Sequence, residues 1–442
     1  MTASVTPRRT VLAAGLAILF GSAVAGCGTS GPKPGGAGGS TDGASAWILS
    51  GVTEQTFHNT FNSWNDAHPD QKFDVQAFAN DPYKQKIRTA VGAGQAPTLI
   101  YGWGGGVLES YVRAKAVEDL SDLAADAEVK GRFLSSVANG GKVGGKTYAL
   151  PNNGIKPVMI YYNKELFAQI GAEPPKTWDE LMSQVDDFKQ AKIAPFTVSG
   201  QAKWPLLPWL SYLMDRIGGP GVLEDILAGK AKAWSDPAVT QANTKIQELV
   251  DAGGFVSDFA SITTDSGADV ALLYTGKAAM TLALPSAYQT IQQSDPKFVS
   301  DGKLGYFPFP TVSGGKGDPD DVVGNPSNYW SISASASDDE KKTARAYLKD
   351  ALLKGSYIDD LLKDGNVPPV ADLGPRIAKS SDPDYFDAVY SMTAKAPNFA
   401  LSLDQALGPK AGDAVLTNLQ QIFLKEITPE KFADNMNATL SG

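Results

Sequence analysis

The 442-residue sequence contains a single cysteine, Cys27, and only two histidines. One cysteine excludes a disulfide within the chain, so stability must come from the size of the hydrophobic core. Such scarcity also leaves no spacing typical of a zinc site, and the sequence has neither a G-x-S-x-G nor an H-E-x-x-H motif. We therefore predict no metal ion, no cofactor and no catalytic residue.

The sequence also has fewer basic than acidic residues and no long apolar run. The chain has 39 Lys and Arg against 48 Asp and Glu, a net charge of −9. Nucleic-acid binding needs clustered basic residues that displace counterions, so we expect no nucleic-acid partner. The apolar run at residues 13–25 is shorter than the ~20 residues that cross a bilayer. The composition predicts a globular chain, and its length suggests two lobes.

The first residues do carry a recognisable pattern. Two arginines at positions 8 and 9 precede the apolar run, and small residues follow as far as Cys27. This order predicts a secretory signal peptide at residues 1–26, exported by the Sec or the twin-arginine route. The residues before Cys27 resemble the lipobox of bacterial lipoproteins, which implies a lipid-anchored Cys27 on the extracellular face of the cell membrane. A buried free thiol is the alternative.

Residues 27–45 are rich in Gly, Ser and Pro, which predicts a flexible tether. Strand and helix periods then alternate, with strands expected at 46–49, 72–78 and 96–101 and helices at 54–68 and 83–93. Asp81 is placed to cap the second helix. This alternation predicts a parallel sheet with helices on both faces, whose ligands bind beyond the carboxyl ends of strands.

A phosphate-loop pattern, G-x-x-x-x-G-K-T, is present at residues 140–147. Phosphate binding by such a loop requires a helix directly after it. The next residues, Tyr148-Ala-Leu-Pro151, cannot begin a helix, so we predict a glycine-rich hairpin instead.

Eight tryptophans give the sequence many flat apolar surfaces. Sugar rings stack on such planes, while packing in the core is the usual alternative. Trp103 stands among glycines after a strand, which favours a binding site. Trp64, Trp178 and Trp209 stand at helical positions, which favours the core. For Trp204 and Trp330 both interpretations stay open.

Two motifs at residues 162–167 (Tyr-Asn-Lys-Glu-Leu-Phe) and 174–181 (Pro-Pro-Lys-Thr-Trp-Asp-Glu-Leu) carry a resemblance to a known family. They resemble the family 1 extracellular solute-binding proteins of carbohydrate ABC transporters, the group that contains maltose-binding protein. The resemblance implies an α/β, two-lobed periplasmic-binding-protein-like fold (type II, or Venus-flytrap) with hinge crossings. It implies an oligosaccharide ligand, an ABC transporter permease as partner, a monomer and no enzymatic activity.

By the same resemblance, residues 46–152 and 325–375 would form the N-lobe, and residues 153–324 and 376–442 the C-lobe. Positions that match the family's binding residues are Glu54, Asn80, Asp81, Trp103, Gly104, Asn152, Asn153, Trp204, Ser286, Asn325, Trp330 and Asp404. Many members of the family have a tryptophan where this sequence has Ser286.

The stretch at 78–92, together with Trp103-Gly-Gly-Gly, is similar to actinobacterial binders of small β-linked oligosaccharides. That similarity implies xylobiose or a similar disaccharide as ligand, held by closure of the two lobes. Two alternatives stay open: a lipid-anchored glycoside hydrolase, which needs only two carboxylates, and a binder of a non-sugar solute.

Overall fold

The computed structural model describes residues 43–440, so the predicted signal peptide and Cys27 lie outside the described residues. The strands are β1 (Ala44–Leu49), β2 (Phe73–Phe78), β3 (Leu99–Gly102), β4 (Lys142–Val143), β5 (Lys146–Thr147), β6 (Leu150–Pro151), β7 (Lys156–Pro157), β8 (Met159–Asn163), β9 (Ala194–Phe196), β10 (Ala278–Ala283), β11 (Leu304–Phe307), β12 (Val322–Asn325), β13 (Tyr329–Ile332) and β14 (Phe399–Leu401).

Helices outnumber strands in the described part of the chain. They are α1 (Glu54–Ala67), α2 (Asn80–Gly92), α3 (Gly105–Arg113), α4 (Ser121–Ala125), α5 (Ser135–Ala138), α6 (Lys164–Ile170), α7 (Trp178–Gln190), α8 (Leu207–Gly218), α9 (Gly221–Leu227), α10 (Pro237–Asp251), α11 (Ala268–Tyr274), α12 (Ser286–Ser294), α13 (Pro296–Ser300), α14 (Asp338–Asp350), α15 (Ser356–Lys363), α16 (Gly374–Ile377), α17 (Pro383–Lys395), α18 (Leu403–Ala406), α19 (Pro409–Phe423) and α20 (Pro429–Asn437).

The first sheet has the strand order β2-β1-β3-β13-β6. Strands β1, β2 and β3 are parallel, as predicted, with Ala46 opposite Val75 and Leu99. The prediction is wrong for the whole sheet, because β13 and β6 run antiparallel to their neighbours. Strand β13 follows β12 after a short loop and not after a helical crossover, so nothing forces it to run parallel.

Strand β1 begins at Ala44, inside the tether predicted to extend to residue 45. Backbone pairing holds these residues in place: Ala44 and Ser45 stand opposite Phe73 and Asp74 of β2. The Ser45 backbone N–H also donates to Thr98 Oγ1 at 3.0 Å. Backbone pairing of this kind needs no apolar side chain. The prediction from composition therefore placed the start of β1 too late.

The second sheet has the order β11-β8-β10-β9, and a third, three-stranded sheet has the order β14-β12-β7. The first two sheets are the centres of the two predicted lobes. The third gathers strands at residues 156–157, 322–325 and 399–401. The predicted lobe limit after residue 152 falls a few residues before β7, and the limit after residue 324 falls within β12. Those limits, and the limit after residue 375, remain predictions.

Both faces of the second sheet are covered by packed side chains. Successive residues of β8 point to opposite faces, so Ile160 and Tyr161 belong to two different hydrophobic clusters. Helix α17 packs on the face of Tyr161, where the hydroxyls of Tyr161 and Tyr385 lie 2.9 Å apart. A sheet that is covered on both faces is rigid enough to hold the loops at its strand ends in place.

Helix α1 shows how the sequence pattern leads to burial. Phe57, Phe61 and Trp64 recur at helical spacing and are all buried, as predicted. Phe61 stacks on Tyr347 with ring centroids 4.7 Å apart. Each fully buried large apolar side chain contributes about 1.5–3 kcal/mol, so this one face fixes the helix against the first sheet.

The sequence predicted capping residues for helices α7 and α2, and only the prediction for α7 is correct. Helix α7 begins with the predicted capping box, in which Thr177 accepts from the Glu180 backbone N–H. The prediction that Asp81 caps α2 is wrong: the helix begins at Asn80, and Asp81 lies in its first turn. Proline fits any of the first positions, where an N–H would lack a helical acceptor anyway, so Pro82 did not fix where the helix starts.

The glycine-rich stretch at residues 140–147 forms the predicted hairpin, with β4 paired antiparallel to β5. Gly144 and Gly145, at φ of 57° and 81°, form the turn. Positive φ at both central residues is the requirement of the tightest hairpin turns, which explains the two glycines. A phosphate loop is excluded here because no helix follows β5.

Candidate functional site

A cavity of about 380 Å³ is lined by loops from both sheets. The first sheet supplies the loop after β1 and the residues at the end of β3. The second sheet supplies the end of β10, the start of α12 and the loop at residues 264–267. A smaller cavity of about 60 Å³ shares Asn80, Trp103, Trp204 and Asn325 with it and extends to Asp404. The two together form one cleft, which we call the ligand cleft.

Two indole rings form the aromatic walls of the ligand cleft. Trp103 follows β3 and packs its edge on Tyr101 and Tyr83, with ring centroids 5.6 and 5.9 Å apart. Trp204 begins a 3₁₀ turn ahead of α8. The ammonium of Lys84 lies 5.3 Å from the Trp103 ring centroid and 6.0 Å from that of Trp204. The cleft therefore has an aromatic surface on each side.

Lys84 joins helix α2 to the segment that follows β14. Its Nζ lies 3.1 Å from Oδ2 of Asp404. The same carboxylate accepts from Ser402 Oγ at 3.0 Å and from Gln405 Nε2 at 2.6 Å. Asp404 is thus satisfied by groups of this chain, and it closes one end of the ligand cleft.

Other polar groups in the ligand cleft have no partner among the described residues. They are Asn325 Oδ1, Trp204 Nε1 and Gln289 Nε2. Gln289 is 1 % exposed, so its amide is cut off from bulk water. Leaving a buried donor or acceptor unpaired costs about 1–3 kcal/mol. Such groups in a cavity indicate that a polar ligand completes them.

Lys156 of β7 lines the same cavity. No salt bridge or side-chain hydrogen bond joins it to any residue between 43 and 440. Burial lowers the pKa of the Lys156 ammonium to about 8. The sequence predictions missed this residue and Gln289. The signal for Lys156 was available: it is the only charged residue between positions 152 and 162.

Two carboxylates, Asp265 and Asp269, line the ligand cleft, and Asp81 lies beside it on α2. Burial raises the pKa of Asp81, an effect that Lys84 opposes and that the charge of Asp265 reinforces. Burial also raises the pKa of Asp269, whose carboxylate accepts from the Val270 backbone N–H at 2.9 Å. No three His, Cys, Asp or Glu side chains within residues 43–440 are grouped as a metal site would require.

The structure brings most of the residues predicted for the site to the ligand cleft. Those that line it are Asn80, Trp103, Asn153, Trp204, Ser286, Asn325 and Asp404. Those that do not line it are Glu54, Asp81, Gly104, Asn152 and Trp330. Ser286 puts a hydroxyl where many family members have an aromatic plane, so the aromatic surface here comes from Trp103 and Trp204.

Three of the residues outside the cleft have a structural role. Trp330 is fully buried, 5.5 Å from Tyr101 between ring centroids. Glu54 accepts from the Gly51 backbone N–H at 3.3 Å at the start of α1. Gly104, at φ 82°, packs where a side chain would meet the Gly140 carbonyl.

Asn152 lies beside this group. Its side-chain atoms are buried without a partner, and its carbonyl accepts from the Tyr357 hydroxyl at 2.6 Å.

Family comparison agrees with this geometry. A sequence model described as bacterial extracellular solute-binding protein matches residues 37–355. The chain belongs to this family, whose members bind solutes and are not enzymes, which confirms the prediction of a binding protein. None of the helices between residues 43 and 440 combines the length and apolar character that a bilayer crossing requires.

Curated relatives are similar over part of their length. A multiple sugar-binding protein of Streptococcus mutans is 30% identical over 186 residues, which are 41% of this chain and 42% of that one. An ABC transporter extracellular-binding protein of Pyrococcus horikoshii is 23% identical over 241 residues, 53% of each chain. The chain thus spans about half the length of such curated relatives.

Solved structures match over nearly the whole described part. A structure from work on xylan utilization by Caldanaerobius polysaccharolyticus has a TM-score of 0.81 at 28% identity, covering 90% of this chain and 99% of that one. A chitin oligosaccharide binding protein gives 0.81 at 25% identity, covering 91% and 99%. These matches confirm the prediction of a two-lobed α/β fold.

Proposed function

We propose that this protein captures an oligosaccharide in the ligand cleft and delivers it to the permease of an ABC transporter. The observation that carries the proposal is the cavity of about 380 Å³ with Trp103 and Trp204 on its walls. Small-molecule sites typically measure about 300–1,000 Å³ and combine apolar walls with a few polar groups. Xylobiose or a similar β-linked disaccharide is the expected ligand.

The chemistry of the walls suits a sugar. The C–H faces of a sugar ring pack on indole planes, and its hydroxyls both donate and accept hydrogen bonds. Asn325 Oδ1 and Gln289 Nε2 are an acceptor and a donor without partners among the described residues. A ligand that contacts both lobes binds the closed arrangement more tightly than the open one, so it shifts the population toward closure.

Similar proteins support the choice of ligand class. They include a multiple sugar-binding protein, a chitin oligosaccharide binding protein and a structure from work on xylan utilization. Arginine is absent from the cleft lining, which disfavours phosphate as the ligand.

We extend the proposal to the start of the chain, which lies outside the described residues. A signal peptide at residues 1–26 would be removed on export, and Cys27 would carry the lipid that holds the protein at the extracellular face of the membrane. Residues 27–43 would then act as the tether. The protein would work as a monomer, because one chain contains the whole ligand cleft.

Ligand-dependent thermal unfolding of the purified full chain tests this proposal. The panel contains xylobiose, xylose, a β-linked glucose disaccharide, a dipeptide and inorganic phosphate. At 100-fold above its dissociation constant, a ligand stabilises the folded state by about 2.7 kcal/mol, which raises the melting temperature clearly. We expect a rise with a β-linked disaccharide and a much smaller rise with its monosaccharide.

A matched variant identifies the site. Trp204→Ala should abolish the rise, whereas the same change at the exposed Leu227, far along the chain in α9, should leave it intact. A rise with the dipeptide or with phosphate, and none with any sugar, would contradict the proposal. Consumption of the sugar during the assay would instead point to a hydrolase.

A further inference from the structure

Lys156 occupies an unusual place for a lysine. It lies in the central region of the molecule, on β7, opposite Asn325 of β12. Its chain neighbours Ile155 and Pro157 are both buried, whereas Lys156 itself is partly exposed to the cavity. Its ammonium therefore faces the ligand cleft and not the outer surface.

This ammonium has no counterion within the described residues. The other lysine of the cleft, Lys84, pairs with Asp404, but no carboxylate lies within 4.0 Å of Lys156. A cation removed from water without a partner is costly, and proteins usually pair it or neutralise it. Burial is the cause that lowers its pKa to about 8, and no neighbouring charge offsets it.

The carboxylates nearest in the lining do not take this role. Asp269 bonds to the Val270 backbone N–H at the start of α11. Asp265 is exposed on the loop at residues 264–267 and interacts with Asp81 by charge repulsion. The ammonium of Lys156 is therefore available to a ligand in the cavity.

Among the buried atoms of this cleft that lack a partner, donors outnumber acceptors. Gln289 Nε2 and Trp204 Nε1 can only donate, and the same holds for the ammonium of Lys156 in the cavity lining. Asn325 Oδ1 is the unpaired acceptor, and one ligand hydroxyl would satisfy it. A carboxylate accepts hydrogen bonds without donating any, and its bonds to an ammonium are about twice as strong as neutral ones. The cleft therefore fits a ligand with hydroxyls and one anionic group.

We propose that the ligand cleft selects an acidic saccharide, an oligosaccharide that carries a uronic acid, and that Lys156 is the residue that recognises its carboxylate. The inference rests on the proposed function and narrows its substrate class. Neutral xylobiose would bind through the indole walls and leave Lys156 unpaired. A uronic acid unit would use the same walls and pair the lysine as well.

Calorimetric titration of the full chain tests this with three matched ligands. They are xylobiose, xylobiose bearing one glucuronic acid unit, and the same trisaccharide with glucose in place of glucuronic acid. A hydrogen bond to a charged group is worth about 1.5–3 kcal/mol, so the acidic trisaccharide should bind about 10- to 100-fold more tightly than its neutral twin.

Two variants assign the preference to Lys156. Lys156→Met, of similar length and uncharged, should bring the two trisaccharides to within about threefold of each other. Lys156→Arg keeps the charge and should keep the preference for the acid. A cooperative thermal unfolding transition shows that each variant is folded.

Each outcome bears on the inference. Equal binding of the acidic and neutral trisaccharides would overturn it and leave the proposed function standing. A preference that survives Lys156→Met would overturn the role of Lys156. If none of the three saccharides binds, the proposed function and the inference fail together.

Discussion

The two lysines of the ligand cleft behave in opposite ways. Lys84, on α2, pairs with Asp404 at 3.1 Å and lies near the rings of Trp103 and Trp204. Lys156, on β7, has no partner within residues 43–440 although it lines the larger cavity of the same cleft. Lys84 completes the walls of the cleft, whereas Lys156 remains available to a ligand.

This difference separates stability from binding. A paired charge stabilises the folded state, whereas an unpaired one lowers its stability and becomes favourable only when a ligand arrives. The comparison predicts that removing the two lysines changes the free energy of unfolding in opposite directions. Three substitutions test it, beginning with the one that we expect to have the largest effect.

Lys84→Met should destabilise the unliganded protein by about 2–4 kcal/mol, because the carboxylate of Asp404, with its side chain 7% exposed, loses its counterion. Urea unfolding measures this change. The double variant Lys84→Met with Asp404→Asn should recover most of the loss, since no buried charge is then left alone. A single variant as stable as the original chain would show that Lys84 contributes nothing to the scaffold.

Lys156→Met should raise the stability of the unliganded protein by about 0.5–2 kcal/mol. The pKa of this lysine is lowered from 10.5 to about 8 on folding, so the unfolded chain binds more protons between these values. The contribution of Lys156 to the free energy of unfolding must then rise with pH in this window. The advantage of the variant should be full below about pH 8 and vanish above about pH 10.5.

Differences between the two proteins at each pH isolate this effect from the titration of the buried tyrosines. Asp265 and Asp269 line the same cavity and are present in both proteins, so the difference between the two proteins removes most of their contribution. If Lys156→Met is still more stable than the original chain at pH 11, then packing and not charge explains the difference in stability.

Arg88→Ala should have the smallest effect. Arg88 and Asp413 lie 2.7 Å apart, but their side chains are 48% and 60% exposed. Exposed pairs contribute about 0.2–1 kcal/mol, and salt screens them. We expect a loss of this size in thermal unfolding at low ionic strength and almost none at 1 M salt. A large loss of stability at both salt concentrations would show that Arg88, like Lys84, stabilises the folded state through its ion pair.

Much of the fold could be predicted from the sequence because it depends on local patterns. The apolar face of α1 and the capping box of Thr177 with Glu180 are set by residues three or four positions apart. The hairpin of Gly144 and Gly145 is equally local. The antiparallel direction of β13 depends on where the chain returns from, which no local pattern records.

The site was only partly predictable for the same reason. Trp103 stands after a strand and lines the cleft as predicted, whereas Trp330 also stands at a strand yet is fully buried. The phenylalanines of α1 cover the face of the sheet on which Trp330 lies, and they do not cover Trp103. Which face a helix covers is a tertiary property that the local sequence does not record. Lys156 was missed because a sequence shows a charge but not whether another residue neutralises it.

The distribution of the tryptophans gives the protein an optical property. Of the eight indoles, all within residues 43–440, Trp103 and Trp204 line the ligand cleft and the other six do not. Emission from an indole shifts in wavelength when water near the ring is replaced by other groups. Light emitted by the whole molecule would then change through two residues that touch the ligand, against a constant signal from the rest. The intrinsic tryptophan fluorescence of the protein would thus report ligand binding without an added dye.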